Sequence, residues 1–247
     1  MSNTDQNETQ QPFIEHLLEL RSRLLKAVLA VLIVFCSLYY FANDFYSMLS
    51  EPLRKFLPEG STMIATEVAS PFLTPLKLSL VLSIFIAIPY VLYQAWSFIA
   101  PGLYRHEKVF AIPMLVSSVI LFYLGAIFAY FVVFPLVFGF LTSVAPEGVT
   151  VMTDISSYLN FVLKLLLAFG LAFEIPIATL LMLKIGITSV AALKQKRPYI
   201  IVACFVIGML LTPPDMISQT LLAVPMWLLF EIGILFGPLV EPKESSA

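Results

Sequence analysis

Four acids stand where a carboxylate calls for a reason. Glu19 lies in Phe13-Ile-Glu-His-Leu-Leu-Glu-Leu-Arg-Ser-Arg-Leu24, and Glu107 closes Trp96-Ser-Phe-Ile-Ala-Pro-Gly-Leu-Tyr-Arg-His-Glu-Lys108. Glu174 interrupts a long apolar run, and Asp215 ends Thr212-Pro-Pro-Asp215. Glu19 and Glu107 can each present a carboxylate outward from its segment, as two acidic arms. A plainer role is open to Glu107, at the start of a helix whose dipole favours an acid. Glu174 poses a different problem: an acid at mid-membrane depth costs about 2.5 to 3.5 kcal/mol on insertion scales. It needs either a task or a hydrogen-bonded, neutral existence among helices. Pro176 removes a donor two residues later and bends the chain near Ala172. Asp215 fits the N-cap of the helix that follows it.

Other chemistries find no support. Neither G-x-x-x-x-G-K-[ST] nor G-x-G-x-x-G occurs, so no nucleotide-phosphate cradle is expected. His16 and His106 are the two histidines, without further ligands at metal-binding spacing, and read as surface residues. Cys36 and Cys204 lie in apolar runs, which argues against a disulfide framework. No cofactor, metal or enzymatic activity is expected. Energy for any transport must come from a partner or a membrane gradient.

The elements that position these acids follow from hydropathy. Of 247 residues 60% are apolar and 12% charged, with mean hydropathy +0.93. One soluble core could not hide so many apolar side chains, so the bilayer must serve as solvent. Runs long enough for membrane helices cover about 24–42, 72–96, 110–134, 158–183, 199–211 and 217–236. This makes the chain an all-α polytopic membrane protein with six spans and a single transmembrane domain. Six spans put both termini on one side. That side then holds Arg21, Arg23, Lys26, Arg105, Lys108, Lys184, Lys194, Lys196, Arg197 and Lys243, ten of the fourteen basic residues, and is cytoplasmic by the positive-inside rule. Met1 to Pro12 is polar, and no removable signal peptide is expected. The fifth run is short: thirteen residues reach about 20 Å against a core of roughly 30 Å, which predicts a locally thinned bilayer beside it. Gly233-x-x-x-Gly237 permits close helix packing, but the signal is weak.

At 100° per residue Glu19, Arg23 and Lys26 share a polar stripe, whereas Arg21 falls among Ile14, Leu17, Leu18, Leu24 and Val28. Two readings of Arg21 stand: a snorkelling side chain, or an anchor that ties a cytoplasmic helix down while Glu19 faces outward. Phe98 and Leu103 add an apolar surface near Glu107, beside the Pro101-Gly102 turn.

Phe13-Ile-Glu-His-Leu-Leu-Glu-Leu-Arg-Ser-Arg-Leu24, Phe98-Ile-Ala-Pro-Gly-Leu-Tyr104, Phe169-Gly-Leu-Ala-Phe-Glu-Ile-Pro176 and Gly208-Met-Leu-Leu-Thr-Pro-Pro-Asp215 resemble the TatC family of the twin-arginine protein translocase in order and over nearly the whole chain. The resemblance implies a multi-pass protein of the bacterial inner membrane, a concave six-helix bundle that acts as receptor and assembly core for export of folded proteins. It implies that Glu19 and Glu107 receive the arginine pair of a signal peptide, with Arg21, Phe98 and Leu103 alongside. It further implies that Glu174 faces a polar hollow and that Pro213, Pro214 and Asp215 form a structural turn. Single-span partners of the TatA and TatB type would dock around Met209 and Leu210, several copies would assemble, and the proton gradient would drive transport. A proton-coupled small-solute transporter using Glu174, or a purely structural scaffold, would leave the cytoplasmic acids without a task.

Overall fold

A computed structural model describes residues 4–42, 44–45, 64–99, 108–143, 154–212 and 215–240. The described residues are helical almost throughout and include no strand, only an isolated parallel bridge between Ile64 and Asp154. The helices are α1 (Thr4–Leu38), α2 (Ser70–Ile99), α3 (Lys108–Phe128), α4 (Phe134–Ser143), α5 (Ile155–Ala172), α6 (Ile175–Lys184), α7 (Val190–Gln195), α8 (Arg197–Leu211) and α9 (Met216–Phe236). Five stretches are long and apolar enough to cross a membrane: His16–Phe41, Ser70–Ile99, Ile112–Phe140, Ile155–Lys184 and Met216–Leu239. The apolar helix α8 has 15 residues, about 22 Å at 1.5 Å each. The protein is thus an all-helical, multi-pass membrane protein.

Proline accompanies two interruptions of the helices, although Pro75, Pro89, Pro113 and Pro225 lie inside unbroken ones. α3 passes into α4 through a π turn, Ala129–Val133, next to Pro135, which has no N–H to give the Phe131 carbonyl. Pro176 has the same effect on Ala172. α5 ends there, Phe173 and Glu174 form a joint, and α6 restarts with Pro176 in its first turn, where a missing donor is harmless. α8 likewise starts at Arg197, with Pro198 in its first turn, earlier than an interruption at proline would suggest. Polar side chains close the other ends: Asp154, Ser189 and Asp215 each accept a bond from the backbone N–H three residues on. After α6 the chain turns at Gly186, whose φ of 77° is in the left-handed region that glycine tolerates.

The chain divides into two compact units, residues 1–46 with 75–119, and residues 47–74 with 120–247. In the first, α1 and α2 line a shared groove, and the Trp96 indole N–H donates to Ser118 Oγ (3.2 Å), tying α2 to α3. In the second, α9 packs against α8 and α6 over a core that includes Phe134, Val137, Leu165, Phe169, Leu222 and Met226. Small residues allow the closest approaches. A Cβ at Gly233 would lie 2.9 Å from Thr179 Cβ, and one at Gly237 would lie 2.8 Å from both Leu183 and Val190. The Gly233-x-x-x-Gly237 face is therefore used within the chain, against α6 and α7. A Cβ at Gly125 would collide with the backbone carbonyl of Phe169 in α5.

Asp154 joins two segments of this second unit. Its carboxylate caps α5 through Ser157 N (2.8 Å) and accepts from Thr66 N (3.0 Å) and Thr66 Oγ1 (2.8 Å). Nearby, Ile155 N donates to Ile64 O (2.9 Å), and the Ser156 hydroxyl lies 2.8 Å from those of both Ser70 and Thr74. The Ser157 N–H, then the Thr66 N–H and hydroxyl, hold the Asp154 carboxyl far below the usual carboxylate range. A carboxyl depressed by folding stabilises the fold at all pH values above its unfolded pKa, and that contribution is lost as pH falls towards the folded value.

Two outcomes follow for purified protein in detergent. Gly125→Ala should lower stability by about 1–3 kcal/mol, as overpacking does, because the Phe169 backbone cannot step aside. Gly139→Ala, where a Cβ meets nothing within 4 Å, serves as control. Equal melting temperatures for the two variants would contradict the close approach of α3 and α5. The second concerns acid: the stability gap between the parent and Asp154→Asn should be constant from about pH 7 to 5 and shrink below about pH 4. A gap that grows in acid would contradict the assigned bonds.

Candidate functional site

On α1, Leu20, Arg23, Leu24 and Ala27 recur at helical spacing on the side that meets Val91, Gln94, Ala95 and Phe98 of α2. Together with Ile99 they line an open groove of about 230 Å³. Its walls are apolar and unfilled: Leu20 is 43% and Leu24 61% exposed, whereas Ala27 is buried. Charge sits at one edge. The Arg23 guanidinium donates through Nε (2.9 Å) and one terminal nitrogen (2.6 Å), and both bonds end on Glu19 Oε1. Glu19 Oε2 accepts no bond from the described residues. The pair is partly exposed, and an i,i+4 pair of this kind contributes only about 0.3–0.5 kcal/mol to the helix. Its consequence is orientation: Arg23 fixes one oxygen and leaves the other open to a second donor.

Phe98 stands in the last turn of α2, and the His16 imidazole stacks on its ring, with centroids 4.2 Å apart and planes at 21°. Glu19 follows His16 by three residues, so the stack and the carboxylate occupy neighbouring turns of α1. Arg21 projects elsewhere. It is exposed and lines a shallow depression with Leu18, Ser22, Leu25, Lys26 and Leu29. Leu103 and Glu107 lie outside the described residues, so the described part of the candidate site consists of Glu19, Arg23, His16, Phe98 and the groove.

The remaining sequence-derived positions belong to the second unit. Glu174 is half-buried at the α5–α6 joint, where its N–H bonds to Leu171 O (3.0 Å) and its carbonyl accepts from Ala178 N (2.8 Å). Met209 and Leu210 are exposed on α8, at 49% and 71%. Asp215 is the N-cap of α9, through Ser218 N at 2.7 Å. Pro213 and Pro214 lie outside the described residues. Thr212 Oγ1 donates to Gly208 O (3.0 Å), and Gln219 Nε2 donates to Phe205 O (2.8 Å), fastening α9 to α8.

Sequence reasoning passed over one acid. Glu231 lies inside the apolar helix α9, and its Oε2 accepts from the Arg197 guanidinium at 2.6 Å, linking α9 to the start of α8. The signal was present: Glu231 is charged within an apolar 21-residue helix, the same criterion that singled out Glu174. The His16–Phe98 stack left no such trace, because its two residues are 82 positions apart.

A family model described as Sec-independent protein translocase protein (TatC) matches residues 15–225. A protein of that name from Azotobacter chroococcum mcd 1 is 61% identical over 241 residues, which cover 98% of this chain and 94% of the relative. Its counterpart in Escherichia coli (strain K12) is 60% identical over 230 residues, covering 93% of this chain and 89% of the relative. Among solved structures, the crystal structure of a twin arginine translocase receptor, TatC, superposes with a TM-score of 0.83 at 42% identity. It covers 91% of this chain and 99% of the solved one.

The pair between α8 and α9 yields a prediction of its own. Removing one partner of a fully buried ion pair costs about 3–5 kcal/mol, and the partial exposure of Arg197 (43%) lowers that figure. Glu231→Leu or Arg197→Leu alone should lower the melting temperature by several degrees. The double variant should recover most of the loss, since no charge is then left unpaired. Strictly additive losses would show that the pair does not act as a unit.

Proposed function

This chain belongs to the TatC family, components of the Sec-independent, twin-arginine protein translocase, and we propose that its Glu19 carboxylate, at the edge of the α1–α2 groove, receives the arginine pair of an export signal. The observation that carries this is Glu19 Oε2, which accepts no bond from the described residues while Arg23 holds Oε1. A guanidinium approaching from the groove would meet a preset acceptor and an apolar floor. Glu107 and Leu103 complete the reading as further contacts, with Glu107 the second acid for the second arginine, while Arg21, which lines a separate depression on α1, takes no part in the groove. The cationic character of such a signal and the family membership both favour this reading over a small-solute carrier.

In this reading both termini face the cytoplasm, where folded substrates arrive, as the bias of basic residues supports. Single-span partners of the TatA and TatB type dock on α8, where Met209 and Leu210 expose apolar side chains. Glu174 serves assembly or transport at membrane depth, not signal binding. Several copies join in the complex, no cofactor is needed, and the proton gradient supplies the energy. The 15 residues of α8 thin the bilayer beside the docking face.

Binding of a synthetic twin-arginine peptide to the purified protein tests the central claim. Each charge-assisted bond is worth about 1.5–3 kcal/mol, so Glu19→Gln should weaken affinity by roughly tenfold or more, as should Glu107→Gln. Glu174→Ala should leave affinity near that of the parent. Undiminished binding in both glutamine variants would reject the site.

A further inference from the structure

We propose that His16 is a positioning residue for signal recognition: stacked on Phe98, its imidazole holds that ring as the end wall of the α1–α2 groove beside Glu19. The inference rests on the recognition reading above and adds a residue to it. Three features of the first unit carry it.

The first is geometry. Ring centroids at 4.2 Å and planes at 21° make a close, nearly parallel stack, not a grazing contact. The second is the site of the stack. Phe98 is itself a wall of the groove, and its neighbours there, Leu20, Leu24 and Ala95, leave open apolar space. Phe98 is half-buried in the last turn of α2, and among the described residues His16 is the ring that stacks on it. Without His16, the apolar space next to Phe98 is the favourable place for its ring to turn, and the groove would fill with the protein's own side chain. The third is exposure. His16 is solvent-exposed although it stacks on an aromatic ring, so it contributes little to the core. A merely structural partner for Phe98 would be better served by a buried aliphatic residue.

The imidazole therefore acts through Phe98. It keeps an apolar surface free next to the open oxygen of Glu19, so that a signal can place its arginines on the carboxylate and its following apolar segment in the groove. Such preorganisation raises affinity by removing a rearrangement that binding would otherwise require.

The test uses the full chain in lipid nanodiscs and a synthetic peptide with two consecutive arginines followed by an apolar segment. Aromatic pairs measured by double-mutant cycles imply a loss of about two- to tenfold in affinity for His16→Ala. His16→Leu should show a similar loss, and His16→Phe, which keeps a stacking ring, should bind within about twofold of the parent. In a Phe98→Leu background His16→Ala should have no further effect. Melting temperatures of the His16 variants should stay close to the parent, lowered by no more than the loss of one exposed ring pair accounts for. Unchanged affinity in His16→Ala, equal binding by His16→Leu and His16→Phe, or additive losses with Phe98→Leu would each overturn the inference. Glu19→Gln, measured alongside, separates the two levels. If it weakens binding while His16→Ala does not, the positioning role alone fails; if neither does, the recognition site fails with it.

Discussion

A backbone amide or carbonyl cannot be left bare in hydrocarbon, and this constraint governs the architecture. Each unsatisfied group costs several kcal/mol, so a chain that crosses a bilayer must bond its backbone within each helix. Departures from helix are then confined to places where proline has removed a donor or where a side chain or turn repairs the loss. The π turn at Ala129–Val133 absorbs Pro135, and the Phe173–Glu174 joint absorbs Pro176. Asp154, Ser189 and Asp215 supply acceptors to first-turn N–H groups.

The same cost divides the charged pairs into two kinds. Arg197 and Glu231 join two helices, and neither charge could stay in an apolar setting without the other. Such a pair fixes which turn of α8 meets which turn of α9, more than it adds net stability. Arg23 and Glu19 lie on one helix and are partly solvated, so their attraction is weak. Weakness suits a receptor. A carboxylate sealed in a strong, fully desolvated pair has nothing left to offer, whereas one tethered through a single oxygen stays oriented and available.

The fold class was legible because apolar run length is a direct physical requirement of the bilayer. Pro176 announced the α5–α6 joint, and Asp215 its capping role, since both depend on the residue's own chemistry. What could not be read depends on pairs distant in sequence. Glu231 stood out as a charge in an apolar run, but its partner Arg197, 34 positions away, could not be read from that. Thr66 gave no hint of its bond to Asp154, 88 positions on. At the candidate site the sequence exposed Glu19 and Phe98 through composition and family resemblance. The occupation of one Glu19 oxygen by Arg23 and the His16 stack required coordinates, because helical spacing shows which residues share a stripe but not which atoms meet.

The two units place different demands on side-chain packing. In the second, Gly125, Gly233 and Gly237 allow close approaches between helices, and large aromatics such as Phe134 and Phe169 are fully buried in the core. In the first, leucines that could have closed on one another line an open groove. The groove lies on stretches long and apolar enough to cross a membrane, so its open apolar walls need an apolar cover, from lipid or from a bound segment. At the level of Glu19 that cover must also answer a carboxylate. A signal that carries charge and then an apolar segment meets that condition, because it satisfies the carboxylate and covers the leucines in one event. Neither demand alone would select for it: a basic surface loop would satisfy Glu19 without covering the groove, and a lipid tail would cover the groove without answering the acid.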